Sequence, residues 1–484
     1  MSDSNGKRLF GPFNWVEGDL EVRIETETGR ISRAWVNAPL FRGFEQILHG
    51  RDPRDALVYT PRICGICSVS QSVAAARALA SVQQLTPAAN GELSTNLILA
   101  AENLADHLTH FYLFFMPDFA RDCYAGQPWF ETIANRFKAQ RGSASRDVLP
   151  ARAAFLHLTG LLAGKWPHSL ALQPGGTTRA LQGQEKTRLL MIIHGFRHFL
   201  QDVLFGIELE QVDAIDSNDA LSAYRQQHSR SDFARFLDIA ETLDLAGLGV
   251  AANRFMSYGA YPTGDTPLFA AGVWHDGLDS LDSGAVSEDI SHSWMAAQPG
   301  PRHPFHGSTI PDDDPASGYS WCKAPRLDGR VVEVGALARQ VVDGHPLIRE
   351  LVANSGGNVK NRVIARVLEL ARVVPEMERW AQALVIGAPY CEHADMPDEA
   401  DGFGLVEAAR GSLGHWLRIK KGRILNYQII APTTWNFSPR DGQEQAGALE
   451  QALQGTEFSD EPQSEARMQH IIRSFDPCMV CTVH

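Results

Sequence analysis

Long apolar runs are missing from this chain of 484 residues. The richest stretch, Phe111-Tyr-Leu-Phe-Phe-Met116, falls far short of the ~20 residues that cross a bilayer. The start, Met1-Ser-Asp-Ser-Asn-Gly-Lys-Arg8, contains no signal-peptide apolar core and leads straight into strand-like sequence. A cytoplasmic location is therefore expected. Basic charge is in deficit, with 44 Lys and Arg against 57 Asp and Glu and a net charge of -13. Nucleic-acid binding, which needs a basic face, is excluded. Cysteine is sparse and odd in number, at seven residues. That argues against a disulfide framework and for a cytosolic protein with metal-bound or buried thiols. The isolated Cys123, Cys322 and Cys391 read as buried structural cysteines. No internal repeat and no low-complexity linker divides the sequence.

Apolar periodicity is present in quantity. Asp19–Glu25 alternates with period two, Thr26–Arg30 reads as a turn, and Ile31–Val36 returns as the second strand of a hairpin. Helical patterns then take over: an Ala-rich Gln71–Gln84, a long Leu93–Met116 ended by Pro117, Thr187–Leu209, and Val359–Ile386 with a kink at Pro375. Leu93–Met116 is apolar around much of its circumference, the pattern of a helix buried centrally in a large fold. Residues 255–335, rich in Gly, Pro, Asp and Ser, predict irregular surface excursions. Residues 403–431 read as strands and 443–474 as helices. The expectation is a mainly α protein with a smaller β portion contributed by both chain ends (α+β). Residues 1–484 form one interlocked unit on this reading.

Two Cys-x-x-Cys pairs stand at opposite ends: Cys64-Gly-Ile-Cys67 and Cys478-Met-Val-Cys481. Zinc ribbons space such pairs by ~15–20 residues, so a site joining these two exists only once the whole fold has closed. Each pair can deliver two thiolates to one metal, and four soft ligands suit Zn, Ni or Fe–S. On spacing alone, structural zinc, a redox metal and unrelated cysteines all stay open. Glu17, Glu45, Arg410 and His484 are the titratable groups that shift the balance.

The chain resembles the large, catalytic subunit of [NiFe] hydrogenases. The resemblance rests on motifs in the family's order: Val16–Glu25, Phe41-Arg-Gly-Phe-Glu45, Pro61-Arg-Ile-Cys-Gly-Ile-Cys67, Asp106-His-Leu-Thr-His-Phe-Tyr112, Gly164-Lys-Trp-Pro-His168, Ala409–Trp416, Asn426–Asn436, and the closing Asp476-Pro-Cys-x-x-Cys-x-x-His484. It implies that Cys64, Cys67, Cys478 and Cys481 bind nickel. Cys67 and Cys481 would also bridge to an iron carrying CO and two cyanides. It implies that Arg410 donates to a cyanide nitrogen, that Asp106 orients Arg410, and that Glu17 relays protons. Glu45, His484 and the carbonyl of Ile429 would hold magnesium or a similar ion, although an imidazole ligand is unusual for magnesium. Ile66 and Phe114 align with positions lining the gas route in relatives, where smaller residues are common.

Two departures from the family pattern narrow the expectation. Gln71 stands where most relatives carry His, and glutamine can donate to a sulfur but cannot titrate. The family's Ala-Pro-Arg is here Ala408-Ala409-Arg410. Cys67-Ser-Val-Ser-Gln71 resembles the branch of hydrogen-sensing and cyanobacterial-type uptake enzymes. Sensor-type members lack the C-terminal tail of their relatives, and this chain stops at His484. The expectation is a hydrogen sensor that slowly oxidises H2 to protons and electrons, with an energy-conserving uptake enzyme as the alternative. The three remaining cysteines cannot build Fe–S clusters, which need about four thiolates each. An Fe–S small subunit is therefore expected as partner. A histidine kinase follows by family analogy, with room for a second heterodimer. A further alternative is a non-catalytic relative, like the hydrogenase-related subunits of respiratory complexes. Retention of all four cysteines, Arg410 and Glu17 weighs against it.

Overall fold

The computed structural model describes residues 7–312 and 318–484. The opening residues 1–6 and residues 313–317 of the Gly- and Pro-rich region lie outside the described residues. The central element is the helix Ala89–Thr109. Leu97, Ile98, Leu99, Ala100 and Ala101 are consecutive in it and wholly buried, so no side of the helix faces water. It packs against the helices Ala144–Ala163 and Val359–Ala383. At its end the coil does not simply stop before Pro117. It widens into a π-helical turn, His110–Phe115, then tightens into a 3-10 turn, Met116–Ala120. The widened turn carries His110, whose Nε2 donates to the Arg473 carbonyl at 2.7 Å. The helix Val359–Ala383 continues through Pro375, and Thr187–Leu209 resolves into Gly183–Phe199 followed by a second π-helical turn, Leu200–Phe205.

The Ala-rich segment forms the helix Ser68–Gln83, which begins directly after Cys67. It lies backbone to backbone on the strand Ala400–Ala408. A Cβ on Gly404 would sit 2.0 Å from the Ala74 carbonyl oxygen, so the close packing requires glycine on the strand and small residues on the helix.

The strands from the two chain ends form separate antiparallel sheets instead of one shared β portion. Lys7–Phe10, Glu21–Glu27 and Arg30–Asn37 make one; Ala400–Ala408, Gly411–Lys420 and Arg423–Ile430 make another. Residues 255–335 also differ from expectation. Phe255–Thr263 and Thr266–Trp274 pair as a hairpin of nine-residue strands. The first seven residues of that hairpin are all buried. A strand covered on both faces loses its polar alternation and gives no period-two signal. The helical stretch 443–474 is two helices, Ala448–Leu453 and Pro462–Ser474.

The chain ends meet beyond the first sheet. Glu17 bridges Cys478 in parallel; its N–H donates to the Pro477 carbonyl at 3.5 Å, and Met479 N–H donates to its carbonyl at 2.7 Å. Gly18, at φ +80°, has no room for a side chain, because a Cβ would lie 3.1 Å from Val480 Cγ1. Residue 18 must be glycine for the two ends to approach this closely.

Candidate metal centre

The two Cys-x-x-Cys pairs come together. All four cysteines are free thiols, and their sulfurs lie within 4.8 Å of one another. Cys67 and Cys481 Sγ are 2.9 Å apart, Cys478 and Cys481 3.2 Å, Cys64 and Cys478 3.5 Å. These separations far exceed a disulfide's ~2.05 Å. They approach the edge of a polyhedron whose sulfurs each lie about 2.3 Å from a shared metal.

Electrostatics make the same point. Hydrogen bonding, first from Cys478, holds the Cys64 thiol well below its usual range. The same contacts push Cys67 well up, again Cys478 first, and burial pushes Cys481 well up. Protein groups alone thus oppose ionisation of Cys67 and Cys481. Four thiolates would need cations, and the donor set is soft, as nickel and iron sites require.

Arg42 ties the two loops together. Its guanidinium donates to the Ile63 carbonyl at 2.6 Å and to the Val480 carbonyl. Arg42 lies in the Phe41-Arg-Gly-Phe-Glu45 motif, but its role was not legible there, because its partners are backbone carbonyls. Glu102, in the central helix, holds the start of the helix after Cys67. It accepts from the N–H groups of Val69 and Ser70, both at 2.9 Å, from Ser70 Oγ at 3.1 Å, and from Trp166 Nε1 at 2.9 Å. A carboxylate at a helix N-terminus meets both its unpaired N–H groups and its positive dipole end.

Arg410 is buried beside the cysteines. Its Nη1 lies 2.9 Å from Asp106 Oδ2, its Nη2 3.2 Å from Asp106 Oδ1 and from Asp476 Oδ1, and its Nε donates to the Asp476 carbonyl at 2.9 Å. Burial raises Asp106 to about 7 against the pull of Arg410, with Asp476 adding to the rise. Asp476 was missed as a site residue, although it stands two positions before Cys478. A second set of cations shapes this corner. Arg339 grips Glu369 through two nitrogens and donates to the carbonyls of Ala408 and Ala409, at 2.8 and 3.2 Å. Arg366 donates to the Ser474 carbonyl.

Glu17 is half-buried. Burial, then the charge of Cys64, raise its carboxyl above the ordinary value, with Arg410 opposing. Gln71 is fully buried one turn past Cys67, and its Oε1 lies 2.8 Å from His415 Nε2.

The residues expected to hold a magnesium-like ion also assemble. Glu45 Oε1 accepts from His484 Nε2 at 3.3 Å and from the Ile429 N–H at 2.7 Å. For Ile429 the contact with Glu45 is made by its amide nitrogen, whereas the sequence points to its carbonyl as a ligand. Lys323, which sequence reasoning missed, sits within the cluster. Its Nζ lies 2.8 Å from Glu288 Oε2 and 3.8 Å from Glu45 Oε1. Burial alone would raise Glu45, but Lys323 and His484 bring it down to about 2. Glu45 Oε2 and Glu288 Oε1 are buried with no hydrogen-bond partner. Two orphaned carboxylate oxygens beside an imidazole fit a hard divalent ion.

The sequence model of the nickel-dependent hydrogenases matches residues 42–125 and 147–484. The chain belongs to that family. This hydrogenase chain is 30% identical to the periplasmic [NiFeSe] hydrogenase large subunit of Desulfomicrobium baculatum, over 100% of this chain and 96% of that protein. It is 29% identical to the hydrogenase-2 large chain of Escherichia coli K12, over 98% and 96% of the two chains. Against the uptake hydrogenase large subunit of Rhodobacter capsulatus the figure is 27%, over 100% and 96%. Its fold superposes on the reduced Ni-Fe-Se hydrogenase of D. vulgaris Hildenborough with a TM-score of 0.83, at 29% identity and covering 99% of each chain. The hydrogenase is thus a catalytic large subunit. Among its described residues no helix is long and apolar enough to cross a membrane.

Proposed function

We propose that this subunit oxidises H2 to two protons and two electrons at a nickel–iron centre held by Cys64, Cys67, Cys478 and Cys481. The closure of four free thiols from both chain ends into one buried cluster carries the reading. When bound, the metal pair with its CO and cyanide ligands supplies the redox chemistry that splits H2. Cys67 and Cys481, the closest pair at 2.9 Å, would hold the iron as well as the nickel. Arg410, buried and gripped by Asp106 and Asp476, presents a guanidinium that would donate to a cyanide nitrogen. Glu17 would take a proton at its carboxylate and pass it outward; burial, then the charge of Cys64, raise its affinity for protons, as suits a base. Glu45, Glu288 and His484 would hold a divalent ion near the chain end, with the orphaned Glu45 Oε2 and Glu288 Oε1 as its oxygen ligands.

Electrons leave through an Fe–S small subunit. Exposed apolar side chains near the start of the chain, Leu9, Trp15 and Leu40, support a docked partner. The physiological role we assign is H2 sensing, with output through a histidine kinase. It is supported by Gln71 and its non-titrating contact with His415. Uptake respiration is the second reading, favoured by relatives named as uptake enzymes. We place the chain in the cytoplasm as one functional unit, supported by seven unpaired cysteines.

An infrared spectrum of protein made with its maturation machinery should show CO and CN stretching bands. Their absence would sink the metal assignment. Glu17→Gln should keep those bands and lose H/D exchange; unchanged exchange would remove Glu17 from the proton path. Deleting the gene should abolish H2-dependent transcription of a second hydrogenase if the role is sensing. If growth on H2 is lost instead, the uptake reading holds.

A further inference from the structure

Gln71 does not end in the protein at random. Its Oε1 meets His415 Nε2 at 2.8 Å, and His415 Nδ1 meets the Tyr427 hydroxyl at 2.8 Å. All three side chains are buried, His415 completely. His415 and Tyr427 come from neighbouring strands of the C-terminal sheet, Gly411–Lys420 and Arg423–Ile430. Gln71 comes from the helix that starts at Cys67, with its N–H on the Cys67 carbonyl at 3.1 Å. Residues i and i+4 of a helix share a face, and the later side chain leans back toward the earlier one. Gln71 therefore stands one turn past Cys67, on the helix that carries the chain away from that sulfur.

Only one orientation of this chain satisfies its hydrogens. Burial lowers His415 to about 3, with His484 adding to the fall, so the ring is neutral and carries a single N–H. If Gln71 donated to His415, the ring would donate to Tyr427. The buried phenol hydrogen would then lack an acceptor, at a desolvation cost of about 1–3 kcal/mol. In the reverse direction Tyr427 O–H donates to Nδ1, Nε2–H donates to Gln71 Oε1, and the Gln71 amide hydrogens are left for the sulfur.

We infer that Tyr427 and His415 are positioning residues that lock the Gln71 amide with its NH2 group toward the Cys67 thiolate, tuning the electron density of the metal centre from two residues away. Hydrogen bonds to ligating sulfurs draw charge from the metal and raise its potential. The chain's direction is set by Tyr427, which touches neither metal nor substrate.

This inference rests on the proposed nickel–iron assignment. The test is the infrared spectrum and redox titration of the purified heterodimer for wild type, Tyr427→Phe, Gln71→Met and the double variant, each checked for nickel and iron content. Without the phenol, His415 can take the other tautomer and Gln71 can turn over. Tyr427→Phe should therefore move the CO and CN bands to lower wavenumber and the midpoint potential to more negative values, at unchanged metal content. Gln71→Met should give a shift of the same sign, and adding Tyr427→Phe to it should change nothing further. Wild type without bands would defeat the nickel–iron assignment itself. Wild-type bands that stay in place in metal-replete Tyr427→Phe, or additive shifts in the double variant, would overturn the positioning role. If Tyr427→Phe does not assemble, unmoved bands in metal-replete Gln71→Met overturn it equally.

Discussion

Cys481 and His484 stand three residues apart, yet they belong to clusters whose charges are balanced in different ways. Around Cys481, one guanidinium, Arg410, faces four sulfurs and two carboxylates. Around His484, the ammonium of Lys323 already sits between Glu45 and Glu288. The first cluster cannot ionise its thiols on protein charge alone. The second holds a cation of its own between its two carboxylates, and two carboxylate oxygens in it lack a partner. The sulfur site therefore depends on imported cations, whereas the Glu45 site carries its own and gains from an ion without requiring one.

The largest expected effect breaks the sulfur side. Cys481→Ala removes one of the closest pair of sulfurs and should leave the protein without nickel and with background H2 oxidation. Metal analysis of the purified subunit checks it, and a full nickel complement would show that Cys481 is not a ligand. Next comes the cation on that side. Arg410→Lys keeps the charge but loses the fork that spans Asp106 and Asp476. Activity should fall about 10- to 100-fold with nickel retained, the usual range for groups that support metal ligands.

On the other side, Lys323→Met leaves Glu45 and Glu288 facing each other without their ammonium. Breaking a buried ion pair costs about 3–5 kcal/mol, so the melting temperature in chelator should drop. Adding Mg2+ should restore part of the loss, because the orphaned oxygens can accept it. An unchanged melting temperature in chelator would end the contrast between the clusters.

A smaller effect tests the frame behind Arg410. Burial opposes ionisation of Glu369, but Arg339, followed by His107, holds its carboxyl at about 2 against an ordinary 4.5. A carboxyl lowered on folding stabilises the native state above its unfolded value and loses that contribution as pH falls. The contribution, about 3 kcal/mol, should be complete above pH 4.5 and fade toward pH 2. Glu369→Gln should flatten the acid limb of stability against pH. An identical acid limb in the variant would place the sensitive carboxylate elsewhere.

What the sequence revealed follows the range of its signals. Helices such as Ala89–Thr109 announce themselves through local periodicity, and the cysteine pairs through local spacing. The hairpin Phe255–Trp274 stayed hidden because burial on both faces erases alternation. Arg339 with Glu369, Arg42 with two carbonyls, and Lys323 with Glu288 stayed hidden for another reason. Their partners lie tens to hundreds of residues away, and no spacing rule links them. Asp476 was the exception that local reading could have caught, since it adjoins the Pro477-Cys478 step that the motif already marked.

The smallest expected effect lies at the edge of the sulfur site. Ile66 sits between the first two ligands, half-buried, with its N–H donating to Cys64 Sγ at 3.3 Å. Phe114 lies half-buried in the π-helical turn that ends the central helix. We propose that these two side chains line a gas passage and that their bulk slows O2 more than the smaller H2. Ile66→Val with Phe114→Leu removes volume but no polar contact, because the Ile66 N–H belongs to the backbone. Stability should change by about 1–2 kcal/mol and anaerobic turnover little. Activity in air should decay faster than in wild type. Equal decay in air would separate oxygen access from these two side chains and leave the passage to other residues.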